Sequence, residues 1–149
     1  MFKQLIGSAS VSVENTIERG AVIKFADAIG DLNPLFINEE AGANSKYKRN
    51  LAPPTFPITL NYGTIEGLEL PKKGLIHGEQ SFRYNIPLFV GDIVFCSSRF
   101  INYKERSGSG GRMGMLTIER MGESAEGELI FTMKQTVIIT EAVRKVMNV

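Results

Sequence analysis

The chain has very little of what most catalytic centres are built from. Its 149 residues include one cysteine, Cys96, and one histidine, His77. A lone cysteine excludes an intramolecular disulfide and any multi-thiolate metal cluster. A lone histidine excludes a multi-histidine metal site within one chain, so neither a metal nor a cofactor is expected. An excess of charge is missing too: 17 basic and 16 acidic residues leave a formal net charge of +1, with both signs spread throughout. That balance offers no electrostatic footprint for nucleic acid or for an anionic membrane. No stretch approaches the roughly 20 apolar residues needed to cross a bilayer. The N-terminus lacks the basic stretch, long apolar core and small-residue cleavage site of a secretory signal. A cytoplasmic protein is the expectation.

What is present reads as one globular domain over residues 1–149. Hydrophobic residues make up 43% and charged ones 22%, enough for a sizeable core that association would help. Val11, Val13 and Ile17 share one parity with polar residues between them, the pattern of a short strand with one wet face. From about Glu18 the period changes. Val22, Phe25, Ala26 and Ile29 fall at i, i+3, i+4 and i+7, the stripe of a half-buried helix, and Gly30 suits a left-handed cap. Another helical turn is expected after Glu39, followed by Lys46-Tyr47-Lys48-Arg49, which reads as an exposed loop or as a contact for a phosphate-bearing ligand.

Pro53 and Pro54 force extended backbone, and Thr55 is placed to cap the apolar segment Phe56-Ile58-Leu60. That segment, through about Leu68, reads as a buried helix with Pro57 near its start. From Leu75 the texture becomes strands and turns. Ile76 to Tyr84 puts Gln80, Phe82 and Tyr84 on one face and His77, Glu79 and Arg83 on the other. Gly91-Asp92 marks a turn before a strand from Ile93 to Tyr103, in whose apolar start Cys96 reads as a small buried side chain. Met113 to Arg120 and Glu128 to Thr140 supply two more strands. Ser107 to Gly111 is a flexible hairpin tip, since no Lys-Ser/Thr pair opens a helix after it. Glu141 to Val149 is either a helical turn or a frayed tail. Helical elements followed by consecutive strands argue an α+β fold with an antiparallel sheet.

Chemistry concentrates in Gly30-Asp31-Leu32-Asn33-Pro34-Leu35-Phe36, where a helix hands over to a loop. Asp31 and Asn33, locked by Pro34, set a carboxylate beside an amide. Asp31 either simply accepts hydrogen bonds from turn N–H groups or keeps a functional role. Three further stretches follow in order: Ala52-Pro53-Pro54-Thr55-Phe56-Pro57, Ile76-His77-Gly78-Glu79-Gln80, and Ile86-Pro87-Leu88-Phe89-Val90-Gly91-Asp92. Together they resemble the MaoC-like dehydratase and (R)-specific enoyl hydratase family, in its FAS1-like dehydratase, N-terminal-domain branch. The resemblance spans roughly residues 10 to 140.

It implies a hotdog fold, an antiparallel sheet wrapped around a central helix near Thr55 to Leu68, and pairing with a second such domain. It also implies an acyl-CoA or acyl-ACP thioester as ligand, bound through Asn33, Phe36, Pro54, Thr55, His77 and Gly78. In catalytic members the pattern reads Gly-Asp-x-Asn-Pro-x-His, and the Asp and His share the proton transfers. Here Asp31 is kept, but Phe36 stands at the His position. Phenylalanine cannot exchange a proton, and losing an acid/base partner typically costs about 10²–10⁴-fold in rate. The chain therefore resembles the subunit of two-subunit (3R)-hydroxyacyl-ACP dehydratases that shapes the acyl tunnel for a catalytic partner. The alternatives are a homodimeric hydratase using Asp31, an acyl-thioester binding protein, and a hotdog thioesterase using Glu66 or Glu69. His77 reads as structural or substrate-lining.

Overall fold

A computed structural model describes residues 1–148. One five-stranded antiparallel sheet organises the chain, in the order β1-β3-β4-β5-β2, where β1 is Val13–Thr16, β2 Leu75–Tyr84, β3 Ile93–Gly108, β4 Gly111–Glu123 and β5 Leu129–Ile139. The last three strands form a meander of sequence neighbours. β3 and β4 run on to a tight turn at Ser109-Gly110, closed by Gly111 at φ 93°, which a side chain would rarely tolerate. The glycine-rich segment is thus a hairpin tip, and the strands on either side outrun the expected Tyr103 and Met113. β5 keeps close to its expected bounds.

Alternation decides which face is buried. Val94, Cys96 and Phe100 on β3, Leu116 and Ile118 on β4, and Phe131, Met133 and Ile139 on β5 all turn to the same inner side. Against that side lies α1, Arg19–Ala28, whose Val22 and Ala26 are wholly buried in one cluster with Val94, Cys96, Phe131 and Met133. Gly30 takes φ 72° and ends the helix, as its position suggested. A second cluster gathers Phe2, Ile65, Phe100, Leu116, Ile118 and Ile139 at the other end of the sheet. Two short helices, α2 (Pro34–Ile37) and α3 (Glu39–Asn44), follow α1, and α4 (Glu141–Met147) closes the chain. The C-terminal segment therefore is a helical turn, with Val149 outside the described residues. No helix among the described residues is long and apolar enough to cross a membrane.

Two sequence expectations are corrected. The central helix near Thr55 to Leu68 does not form: the segment makes only a four-residue 3₁₀ turn, Phe56–Thr59, and then runs irregularly to β2. Pro57 supplies no N–H for a helical ladder, and Gly63 and Gly67 sit at φ 71° and 79°, outside helical backbone. Thr55 occupies the cap position of the turn, but its side chain makes no cap hydrogen bond. The helix packed on the sheet is α1 instead, and Phe25 on it meets Phe56 edge-on at 5.6 Å. The second correction concerns His77. A β-bulge interrupts the β2–β5 register between His77 and Glu79, so His77 pairs with the buried Val137 and shares the inner face of Gln80, Phe82 and Tyr84. Simple alternation had put it on the outer face.

Candidate functional site

The handover from α1 to α2 is built from its polar side chains. Asp31 N–H donates to the Ala26 carbonyl at 2.9 Å. The Asp31 carboxylate accepts from Asn33 N–H at 3.3 Å, and the Asn33 side-chain oxygen accepts from Leu35 N–H at 3.0 Å. Asn33 thereby caps α2, with Pro34 in the first turn, where its missing N–H costs nothing. The single turn of α2 carries Phe36 inward, and only 7% of it remains exposed. Asp31 stays exposed at the surface.

Phe36 forms part of the wall of a cavity of about 400 Å³. It opens to solvent, and three segments line it: Asn33, Leu35 and Phe36; Leu51, Ala52 and Pro54; and Tyr84 through Leu88. Backbone bonds hold these segments together, from Leu51 N–H to Leu35 C=O at 3.0 Å and from Ala52 N–H to Leu88 C=O at 2.8 Å. Asn50 secures the corner. It is 4% exposed, donates to the carbonyls of Leu35 and Asn38 at 2.9 and 2.8 Å, and accepts from Arg19 at 2.8 Å. On the opposite wall the Tyr84 hydroxyl donates to Pro54 C=O at 2.7 Å, and the ring leans on Phe131 with centroids 5.8 Å apart.

The chemistry of this chamber is that of a binding site. Its wall is mostly aliphatic and aromatic, with the amides of Asn33 and Asn85 as polar points. Tyr84 is its one titratable group, and burial pushes that phenol upward, so it stays protonated. No lining side chain exchanges protons near neutral pH.

Of the residues singled out from the sequence, Asn33, Phe36 and Pro54 come together in this wall. Asp31, Thr55, His77 and Gly78 do not line it. His77 lies on β2, where its Nδ1 is 3.2 Å from the Gln135 side-chain amide nitrogen, and Gly78 is the residue skipped by the bulge. Glu66 and Glu69 are exposed on the irregular segment. Cys96 is buried without a disulfide, and burial pushes its thiol up to about 12. The basic loop is held by its own contacts: Arg49 pairs with Asp92 at 2.7 Å and stacks over Phe89 at 4.5 Å, and Lys46 lies over Tyr47 at 5.0 Å. Tyr84, Asn85 and Leu88 were not assigned to a site from the sequence. Leu88 lay in the quoted stretch from Ile86 to Asp92 and Tyr84 on the apolar face of β2, while Asn85 carried no signal of its own.

A family model described as the FAS1-like dehydratase domain region matches residues 4–133. A UPF0336 protein of Thermobifida fusca is 35% identical over 122 residues, covering 78% of this chain and 78% of its own length. Among solved structures, the C-terminally truncated HadBC (3R-hydroxyacyl-ACP dehydratase) complex of Mycobacterium tuberculosis superposes with a TM-score of 0.76 at 23% identity. That match covers 90% of this chain and 96% of the matched one. The ChsH1-ChsH2 complex of the same organism follows at 0.72 and 15% identity, covering 94% and 89%. The structural likenesses establish the hotdog architecture, an antiparallel sheet with a helix.

Proposed function

This chain belongs to the FAS1-like dehydratase domain family, a hotdog-fold family of dehydratases and hydratases, and on that footing we propose that it is the pocket-shaping subunit of an (R)-specific 3-hydroxyacyl-thioester dehydratase or enoyl-thioester hydratase. Its ligand is the acyl group of a CoA or ACP thioester. The proton-transferring Asp and His come from a second hotdog chain.

The observation that carries this reading is Phe36. Hydration of an enoyl thioester requires one group to take a proton from water and another to deliver one to carbon. An imidazole suits both tasks because it titrates near neutrality. A buried phenyl ring at that position supplies apolar wall instead. Asp31 compounds the deficit, since its carboxylate is turned to solvent and engaged by the Asn33 N–H rather than aimed at the chamber. A cavity of about 400 Å³ falls in the range that accommodates small ligands. Among the described residues the outer edge of β2 is unpaired, which supports docking of another sheet. That HadBC and ChsH1-ChsH2 are each solved as complexes is consistent with a second subunit.

The test is an enoyl-thioester hydration assay with the purified chain, first alone and then mixed with hotdog proteins that carry an intact Asp-x-Asn-Pro-x-His. No turnover alone and turnover with one partner is the expected result. Vigorous turnover by the chain alone, abolished in Asp31→Ala, would refute the division of labour and favour a homodimeric enzyme.

A further inference from the structure

The lining of the Phe36 cavity is graded from mouth to depth. Asn33, Pro54, Asn85, Ile86 and Pro87 are exposed and form the mouth, whereas Phe36, Ala52 and Leu88 are buried and form the floor. Both lining amides, those of Asn33 and Asn85, stand at the mouth, and the floor carries no polar side chain. An apolar floor under a polar mouth orients a ligand that has one end of each kind. An acyl thioester therefore enters tail first. Its thioester stays at the mouth, on the side open to the Asp and His of a second chain.

Behind the floor the chain is packed. Phe36, Ala52 and Leu88 belong to one buried cluster with Val22, Ala26, Phe56 and Phe131. The cavities beside Tyr103, Ser81 and Arg49 share no lining residue with this one. The floor is also pinned. Phe36 N–H donates to Asn33 C=O at 2.9 Å, and Ala52 N–H to Leu88 C=O at 2.8 Å. Phe131, on which the Tyr84 ring leans, lies against Gly122, where a side chain would collide with its ring. The cavity is thus a blind pocket of fixed depth rather than a passage through the subunit.

We propose that Phe36 sets acyl-chain length: its ring ends the pocket, so the subunit takes short and medium acyl groups and refuses long ones. The inference rests on the acyl-binding reading given above. A methylene fills about the space of one water molecule, roughly 30 Å³, so a cavity of about 400 Å³ holds on the order of a dozen such groups. Part of that space is the open mouth, where the thioester sits, which leaves the tail about ten carbons at most. Each methylene that the pocket buries tightens binding about fourfold. One that meets the floor must overpack it or fold back towards water, and adds nothing.

Calorimetric binding of saturated acyl-CoAs, from butanoyl to tetradecanoyl, to the full chain tests this. Affinity is expected to rise about fourfold per carbon and to stop rising no later than decanoyl. Phe36→Leu trims the floor and should move the break to a chain about two carbons longer, while Ala52→Leu raises the floor and should move it to a shorter one. Circular dichroism verifies that each variant folds. Opposite shifts separate a moved floor from loosened packing, which weakens every chain length alike. A further rise from decanoyl to dodecanoyl in the unaltered chain overturns the proposal and leaves the acyl-binding reading standing. So does a break unmoved in Phe36→Leu, or in Ala52→Leu should the former not fold. Failure of every chain length to bind overturns both.

Discussion

Replacing Asn50 by alanine is expected to cost about 3 kcal/mol, from three hydrogen bonds each worth about 0.5–1.5 kcal/mol net. The bonds are those to Leu35 C=O, Asn38 C=O and Arg19. No large further penalty for orphaned carbonyls is added, because Leu35 C=O keeps the Leu51 N–H and Asn38 C=O keeps the Gly42 N–H. The Arg19 bond contributes least, since that side chain is 39% exposed and also reaches Glu39 at 3.3 Å. Against a typical total stability of about 5–15 kcal/mol, such a loss is large. Urea unfolding followed by far-ultraviolet circular dichroism measures it, tryptophan being absent from the chain. Gly42→Ala provides a cross-check, because a Cβ there would stand 2.6 Å from the Asn50 amide nitrogen and displace the same side chain. The double variant should lose less than the sum of the singles. A loss below about 1 kcal/mol in Asn50→Ala would show that the corner of the cavity is not held by this amide, contrary to the geometry.

Stability should fall as pH rises from about 9 towards 12, because burial raises the Cys96 thiol from about 9 to about 12 and the unfolded chain ionises first. The buried phenols of Tyr62 and Tyr84 act in the same direction. Cys96→Ala should flatten part of that slope in unfolding midpoints measured across the interval. Phe36→His is expected to lower stability by about 1–3 kcal/mol through burial of a polar ring, and to leave the isolated chain inactive because Asp31 does not face the cavity. A melting curve and a hydration assay check the two halves. Glu105→Ala should speed amide exchange in α4, since Glu105 accepts from Arg144 at 3.0 Å, pairs with Arg112 and ties that helix to the β3–β4 hairpin. Exchange in α4 that stays unchanged would place the helix's anchorage elsewhere, in Val143 and Met147.

Elements whose signal is local were legible in the chain. The spacing of Val22, Phe25 and Ala26 gives α1, and the alternation after Ile93 gives a meander, because in each case the burying face follows from neighbours in sequence. The segment after Thr55 reads as a helix by hydropathy, yet the left-handed Gly63 and Gly67 and the ring of Pro57 override it. Hydropathy says which residues are buried, not which backbone buries them. His77 was misplaced for a different reason: one skipped residue at Gly78 reverses the parity of everything before it, and a bulge leaves no trace in apolar alternation. At the site, Asn33, Phe36 and Pro54 were marked and do share a wall. Tyr84 was not, since its role depends on a hydrogen bond to Pro54 across the fold.

The order of strands also bears on how the chain reaches this state. β3 pairs with β4 and β4 with β5, each its neighbour in sequence, so most of these contacts can form by short closures. β1 and β2 join at the margins through distant pairings, Val13 with Cys96 and Leu75 with Ile139, and must close long loops first. The meander is then the natural folding nucleus, and the margins condense onto it late. The same margins would be the earliest to open, so brief excursions from the native state would loosen β1 and β2 while the hairpin endures.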